Sequence, residues 1–292
     1  MTMRVLVTIP HYFHTSREAG YTRPHGSNAG SDVARADALA QAISWLHRLF
    51  GPAQHWIDPK TLTAPIANGD LSCTADVVVC TTANRHVLDL LRLPKGAFEH
   101  RATSASPLLL GYECHEVLRE RIGRYDYYAY LEDDLIVRDP WLLAKFAWFT
   151  TQVGDEALLQ PNRYEVGPLT LGPVAKAYID GDLPDAATAP FQDVSILPEL
   201  SAKVLDVPLL FRRTRNPHSG CFFLNAKQMA HWSARPDFLD RSSAFIGPLE
   251  SAATLGVMRS FRIYKAAPAC ASFCEIEHAG AAYLANLRRR GG

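Results

Sequence analysis

Three short runs constrain this chain more than anything else in it: RVLVTIP (4–10), ADVVVCTTA (75–83) and YDYYAYL (125–131). Each is rich in β-branched or aromatic residues. The first two are nearly continuous in apolar character, the pattern of a strand covered on both faces rather than one face wet. Helical patterns separate the runs. Between 32 and 50, Ala38, Leu39, Ile43, Leu46 and Leu49 recur near helical spacing, with Asp32 as a candidate N-cap and Gly51 as a stop. GYECHEVLRERIG (111–123) sets Val117, Leu118 and Ile122 on one face. Strands and helices in alternation predict an α/β fold around a parallel sheet.

Further along, Asp139 and Pro140 stand at the N-cap and first helical positions of WLLAKFAWFTTQ. From 161 to 217 prolines and glycines become frequent, which predicts hairpins and loops. HSGCFFLN (218–225) reads as a strand, AKQMAHW as a helical start, GPLESAATLGVM (247–258) as a helix and RIYKA (262–266) as a closing strand. The polar stretch from His11 to Ser31, which includes Gly20, Gly26 and Gly30, reads as a long loop, and long loops tend to be functional. No internal repeat or linker interrupts the pattern, so a single domain over 1–292 is expected.

Composition narrows the partners. The 292 residues are 48% hydrophobic, ordinary for a globular chain with a sizeable core. Thirty basic and thirty acidic side chains cancel, so no global field favours nucleic acid or an anionic membrane, and an anionic ligand must be held locally. The first apolar run is stopped by Pro10 and is too short for a signal-peptide core. No other run approaches the roughly 18 apolar residues of a membrane span. The expectation is a soluble, cytoplasmic protein with no transmembrane segment, its Arg288–Arg290 tail leaving room for peripheral membrane contact. The six cysteines read as reduced thiols. Cys270, Cys274 and His278 are spaced by four, but Pro268 and Ile276 argue against a helix that would align them as zinc ligands.

The third run ends in DYYAYLEDDLIVRDP (126–140), where Glu132, Asp133 and Asp134 follow one another. Adjacent carboxylates raise each other's pKa unless a cation compensates. In a strand, Glu132 and Asp134 face one way and Asp133 the other. A divalent ion with oxygen ligands would balance them and keep coordination positions for substrate phosphates. An acidic surface turn before a helix is the other reading. The acids stand where a strand gives way to a helix, a place where open α/β sheets bind ligands.

The order of these segments resembles the GT-A glycosyltransferases, which use nucleotide-sugar donors. IPHYF (9–13) is similar to the family's first strand end, YDYYAYLEDD to its Asp-x-Asp strand, HSGCFFLN to the glycine-containing strand of the sugar pocket, and GPLES (247–251) to the acidic motif at a helix start. The resemblance implies a GT-A-like, Rossmann-type mixed sheet flanked by helices, with a nucleotide-binding half (1–137) and an acceptor-side half (138–292). It implies Mn²⁺ or Mg²⁺ on Glu132, Asp134 and His278, with Asp133 reaching the ribose. Donor contacts would come from Pro10, Tyr12, Thr82, Asn84, Arg85 and Gly220. The donor would be a nucleoside-diphosphate sugar, UDP first among nucleotides, and the acceptor a saccharide or other hydroxyl.

Glu250 would be the general base, or an ordinary acidic residue favoured in a helix's first turn. Ser251 departs from the family, in which an aspartate often follows that glutamate, and so the stereochemical outcome stays open. His11, His14 and His25 share the polar loop with no spacing that singles one out. Trp232 and Phe245 are either core residues or a sugar platform. Two further classes compete: a non-catalytic nucleotide- or sugar-binding relative, and a sugar-nucleotidyltransferase. The second would need a glycine-rich basic loop after the first strand, which IPHYFHTSREAG lacks.

Overall fold

The computed structural model describes residues 3–14, 31–70, 73–167 and 175–285. The chain divides into two compact units, with the boundary after Asp134. In the first, β1 (Met3–Pro10), β2 (Cys73–Thr82), β3 (Glu99–Thr103) and β4 (Tyr127–Leu131) lie in the order β4-β1-β2-β3. All three pairings are parallel; Val7 faces Val77 on one side and Ala129 on the other. Leu6, Val7, Ile9, Val78, Val79 and Cys80 are buried, which is why the first two runs lack alternation.

Helix α1 (Asp32–Phe50) links β1 to β2, and α2 (Leu110–Glu120) leads into β4. Buried Ala36, Leu39, Ile43, Leu46 and Phe50 form one face of α1. Its cap is Ser31, not Asp32: Ser31 has the extended backbone a cap needs and accepts from the Ala34 amide at 3.2 Å. Gly51 ends the helix as expected. Ile122 falls past the end of α2 and is exposed, whereas Val117 and Leu118 are buried. β3 has no counterpart in the sequence reading. Its EHRAT is a polar edge strand, with Glu99 paired to Arg121 and Arg101 to Glu120, both at 2.7 Å.

The strand order matters for function. The chain runs outward from β1 through β2 to β3, then returns to place β4 on the opposite side of β1. Between β1 and β4 the connections diverge, and the carboxyl ends of the strands at such a point are the usual ligand position in sheets of this kind. His11 follows β1 there, and Glu132 to Asp134 follow β4.

The second unit begins with β5 (Leu135–Ile136), α3 (Leu142–Val153), β6 (Ala157–Leu159), β7 (Asn162–Val166) and β8 (Lys176–Tyr178). It continues through β9 (Glu199–Val204), β10 (Val207–Arg213), β11 (Cys221–Asn225), α4 (Ala226–Ser233), α5 (Pro248–Ser260), β12 (Arg262–Ala266) and β13 (Glu275–His278). It holds two mixed four-stranded sheets, β6-β12-β10-β9 and β5-β13-β7-β8. The predicted hairpin region is real: β9 and β10 join through Leu205 and Asp206, both at positive φ, as a two-residue type I′ turn demands. α3 starts two residues later than Asp139–Pro140 suggests, because Asp139 accepts from the Trp141 amide at 2.8 Å before the helix begins.

The whole is a mixed α/β fold. Among the described residues no helix is long and apolar enough to cross a membrane. The six cysteines are free thiols. Pro268–Phe273 is a 3-10 stretch, so Cys270, Cys274 and His278 are not aligned on an α-helix. The Arg288–Arg290 tail, His25 and most of the polar loop after His14 lie outside the described residues.

Candidate functional site

Two of the three acids meet a positive partner in the protein itself, Arg35. Asp133 is 4% exposed, and both its oxygens are taken. Arg35 Nη2 donates to Oδ1, and His11 Nδ1 lies 2.5 Å from Oδ2. Arg35 Nη1 also reaches Asp134 Oδ2, at 3.2 Å. One guanidinium therefore bridges two consecutive carboxylates. Strand alternation does not separate them, because β4 ends at Leu131 and the acids lie beyond it.

His11 is fully buried, and its Nε2 accepts from the Val87 amide at 3.2 Å. That contact puts the ring hydrogen on Nδ1, from which it is donated to Asp133. Burial pushes the Asp133 carboxyl up, but Arg35 and the His11 hydrogen bond outweigh it and hold the group below the usual carboxylate range. Arg35 loses solvation by burial, yet the two aspartates raise its pKa further. Local packing aims Arg35: its neighbour Ala36 is buried in one cluster with Phe13 and Val87, from the segments after β1 and β2.

The remaining first-unit candidates surround this network. Pro10 ends β1 opposite Cys80. Tyr12 is half-buried, its hydroxyl 3.5 Å from Arg85 Nη1, and the Phe13 amide donates to the Arg85 carbonyl at 3.0 Å. The donor candidates from the first and second strand ends are thus brought together. Thr82 is buried and gives its hydroxyl to the Ala105 carbonyl, so it is a structural residue in this arrangement. Asn84 is exposed beside Ala83, which sits at positive φ. Asp133 is likewise turned inward, not toward a ribose, because both oxygens serve Arg35 and His11. Glu132 is half-buried, and its charge adds to burial in raising the Tyr130 phenol.

In the second unit, Gly220 adopts φ 63 immediately before β11, a conformation that favours glycine. Glu250 is in the first turn of α5, its carboxylate folded to within 2.9 Å of where a Cβ on Gly247 would stand. Ser251 is buried, with its hydroxyl accepting from the Phe245 amide at 3.0 Å and donating to the Phe245 carbonyl at 2.9 Å. Where the resemblance would place an aspartate, this chain has a structural serine. His278 Nδ1 lies 3.0 Å from buried Glu165 Oε1, the kind of second contact that orients a ligating imidazole. Trp232 and Phe245 are buried, with Trp232 packed edge-on against Phe222; both are core residues.

Among the described residues, no group of three or more His, Cys, Asp or Glu side chains is gathered to hold a metal ion. Glu132 and Asp134 nevertheless offer the hard oxygen donors that Mg²⁺ or Mn²⁺ takes when it arrives with a phosphate, a mode that needs only one or two carboxylates.

No family model matches the sequence, and no curated protein matches it. Two solved structures align along nearly the whole chain. One is CMP:2-keto-3-deoxy-manno-octonic acid synthetase complexed with CTP, with 13% identity, a TM-score of 0.37, and 98% of each chain covered. The other is S. aureus TarS 1–349, with 10% identity, a TM-score of 0.45, and 99% of this chain against 64% of that one covered. Likeness at these scores assigns neither a ligand nor a reaction.

Arg35 carried no signal in the sequence as a partner for the acids. It is one charged residue on an amphipathic helix, far from 132–134. Topology was the available clue: a β1–loop–α1 connection in a parallel sheet sets the first turn of α1 near the carboxyl end of β1. A second ionic group was also silent. Asp180 is clasped by Arg163 Nε and Lys265 Nζ, both at 2.8 Å, and the side chains of all three are buried. Lys265 also donates to the His218 carbonyl at 2.7 Å.

Proposed function

We propose that the chain is a metal-assisted glycosyltransferase that moves a sugar from a nucleoside-diphosphate donor, UDP first among nucleotides, to an acceptor hydroxyl. The observation that carries this reading is the position of Glu132–Asp134, His11, Tyr12 and Arg85 at the carboxyl edge of one parallel sheet, beside the switch between β1 and β4. Tyr12 offers a ring face for a base, and Arg85 offers a guanidinium for base or phosphate.

Glu132 and Asp134 are the carboxylates that would hold Mn²⁺ or Mg²⁺. When bound, such an ion supplies Lewis-acid stabilisation of the charge that builds on a departing diphosphate. Asp133 stays inside, where it positions Arg35. In transfer, the bond between the anomeric carbon and the diphosphate oxygen breaks, and a bond to the acceptor oxygen forms. The acceptor proton passes to Glu250 as general base.

The structural role of Ser251 favours a second reading, a nucleotide- or sugar-binding relative without turnover. Thermal-shift titration with UDP, CDP and GDP, with and without Mn²⁺, reads ligand binding, because a ligand selective for the folded chain raises Tm. A coupled assay for nucleoside diphosphate released from a panel of donors then separates the readings. Binding with release supports the transferase, and binding without release supports the binder. Pyrophosphate formed from a nucleoside triphosphate and a sugar phosphate would assign a nucleotidyltransferase instead.

A further inference from the structure

The two terminal nitrogens of Arg35 are not equivalent in their partners. Nη2 meets Asp133, which is inaccessible and already fixed by His11. Nη1 meets Asp134 at 3.2 Å, and Asp134 is the more exposed carboxylate, its side chain 19% accessible against 5% for Asp133. Arg35 is therefore anchored at one end and holds a candidate ion ligand with the other. A guanidinium cannot shed its charge at any physiological pH, so the positive charge beside Asp134 is permanent.

We infer that Arg35 is a built-in competitor for the divalent cation at Asp134: it occupies Asp134 in the ion-free protein, weakens binding of the bare ion, and makes occupancy depend on arrival of the ion with an anionic ligand. The inference rests on Asp134 being an ion ligand in the function proposed above. Coulomb repulsion between a guanidinium and a divalent ion a few ångströms apart lowers affinity for the free ion. A diphosphate reverses that balance, because its negative charge is attracted by the ion and by Arg35 alike. The anchored Nη2–Asp133 contact keeps the guanidinium in place while Nη1 exchanges its partner.

The test uses Mn²⁺ alone, followed by its electron paramagnetic resonance signal and by titration calorimetry, on the full chain and its variants. Arg35→Gln leaves Asp133 buried without its cation and threatens folding, so the double variant Arg35→Gln/Asp133→Asn removes both charges, keeping the shape of residue 133 and shortening residue 35. The double variant is expected to bind Mn²⁺ about tenfold or more tightly than the parent chain. Adding Asp134→Ala to it should abolish the gain, and Arg35→Lys should stay close to the parent. Adding UDP should tighten Mn²⁺ binding more in the parent than in the double variant. Measurable but equal Mn²⁺ affinity in the parent and the folded double variant overturns the competitor role alone. Absence of Mn²⁺ binding in every variant, with and without UDP, overturns both this inference and the ion's part in the proposed reaction.

Discussion

Arg35 Nη2 and Asp133 Oδ1 form a buried ion pair between residues 98 positions apart, joining the first turn of α1 to the segment after β4. The acid triplet poses an electrostatic problem, and this pair is the fold's own part of the solution. An isolated buried carboxylate would take up a proton rather than stay charged. Asp133 avoids that because a guanidinium meets one oxygen and His11 Nδ1 the other, and His11 is itself fixed by the Val87 amide. The network ties together α1 and the segments that follow β1, β2 and β4, the elements that meet at the carboxyl edge of the sheet.

Breaking this pair from one side should be costly. Arg35→Gln or Asp133→Asn leaves a buried group without its partner, and a loss of about 3–5 kcal/mol in unfolding free energy is expected. The double variant Arg35→Gln/Asp133→Asn should recover much of that loss. Urea denaturation of the two single variants and the double variant gives the coupling energy directly. Additive single effects would mean that the pair contributes no specific stability.

Asp134 should behave differently. Its side chain is less buried and shares Arg35 with Asp133, so Asp134→Ala is expected to leave the fold intact within about 1 kcal/mol. The same change should abolish the part of UDP binding that depends on Mn²⁺. Calorimetry with UDP in Mn²⁺ and in EDTA measures it, and undiminished Mn²⁺-dependent binding would remove Asp134 from the ion site.

How far the sequence was legible follows from what each signal depends on. RVLVTIP, ADVVVCTTA and RIYKA are strands whose identity is local, and they lie where the pattern sets them. β3 escaped because an edge strand can be polar: Glu99 and Arg101 satisfy themselves with side chains from α2 and its end. The triplet was visible as a charge problem, but its protein partner was not, since pairing at that sequence distance is a property of the sheet and not of the spacing. In the sequence Ser251 stands out only as a departure from a pattern. Only its two hydrogen bonds to Phe245 show it to be structural.

Acid should loosen the second unit in a defined window. Burial pushes Asp180 up, but Lys265 and Arg163 overcome it and hold the carboxyl at about 2, against an ordinary 3.8. Burial also draws the Lys265 ammonium down, although Asp180 opposes this; two cations on one carboxylate leave Asp180 ionised. A carboxyl depressed in the folded state contributes fully above its unfolded pKa and is lost as pH falls through the folded one. Asp180 should therefore contribute about 2 kcal/mol at neutral pH, a contribution that declines from about pH 4 toward pH 2. Asp133 changes in the same direction. Unfolding free energies of the parent and Asp180→Asn, followed by urea between pH 2 and 7, should converge at the acid end. A constant difference across the range would exclude this linkage.

Glu250 and Ser251 are neighbours, one with a proposed catalytic role and one with a structural role, and substitution should tell them apart. Ser251→Ala strips the buried Phe245 amide and carbonyl of their hydroxyl partner, which should cost about 1–3 kcal/mol. Ser251→Asp should be worse, since a carboxylate cannot donate to the carbonyl and would be buried beside it, and so it should not create a working base. Glu250→Gln keeps the shape of the first turn of α5 and removes the proton acceptor. It should fold normally and bind UDP as the parent does, with transfer lowered about 100-fold or more, the usual scale for losing a general base. The measurements are Tm for folding, UDP affinity by calorimetry, and single-turnover release of UDP from the productive donor. Transfer at the parental rate in Glu250→Gln would take that carboxylate out of the mechanism and leave α5 with only the electrostatic benefit of an acid in its first turn.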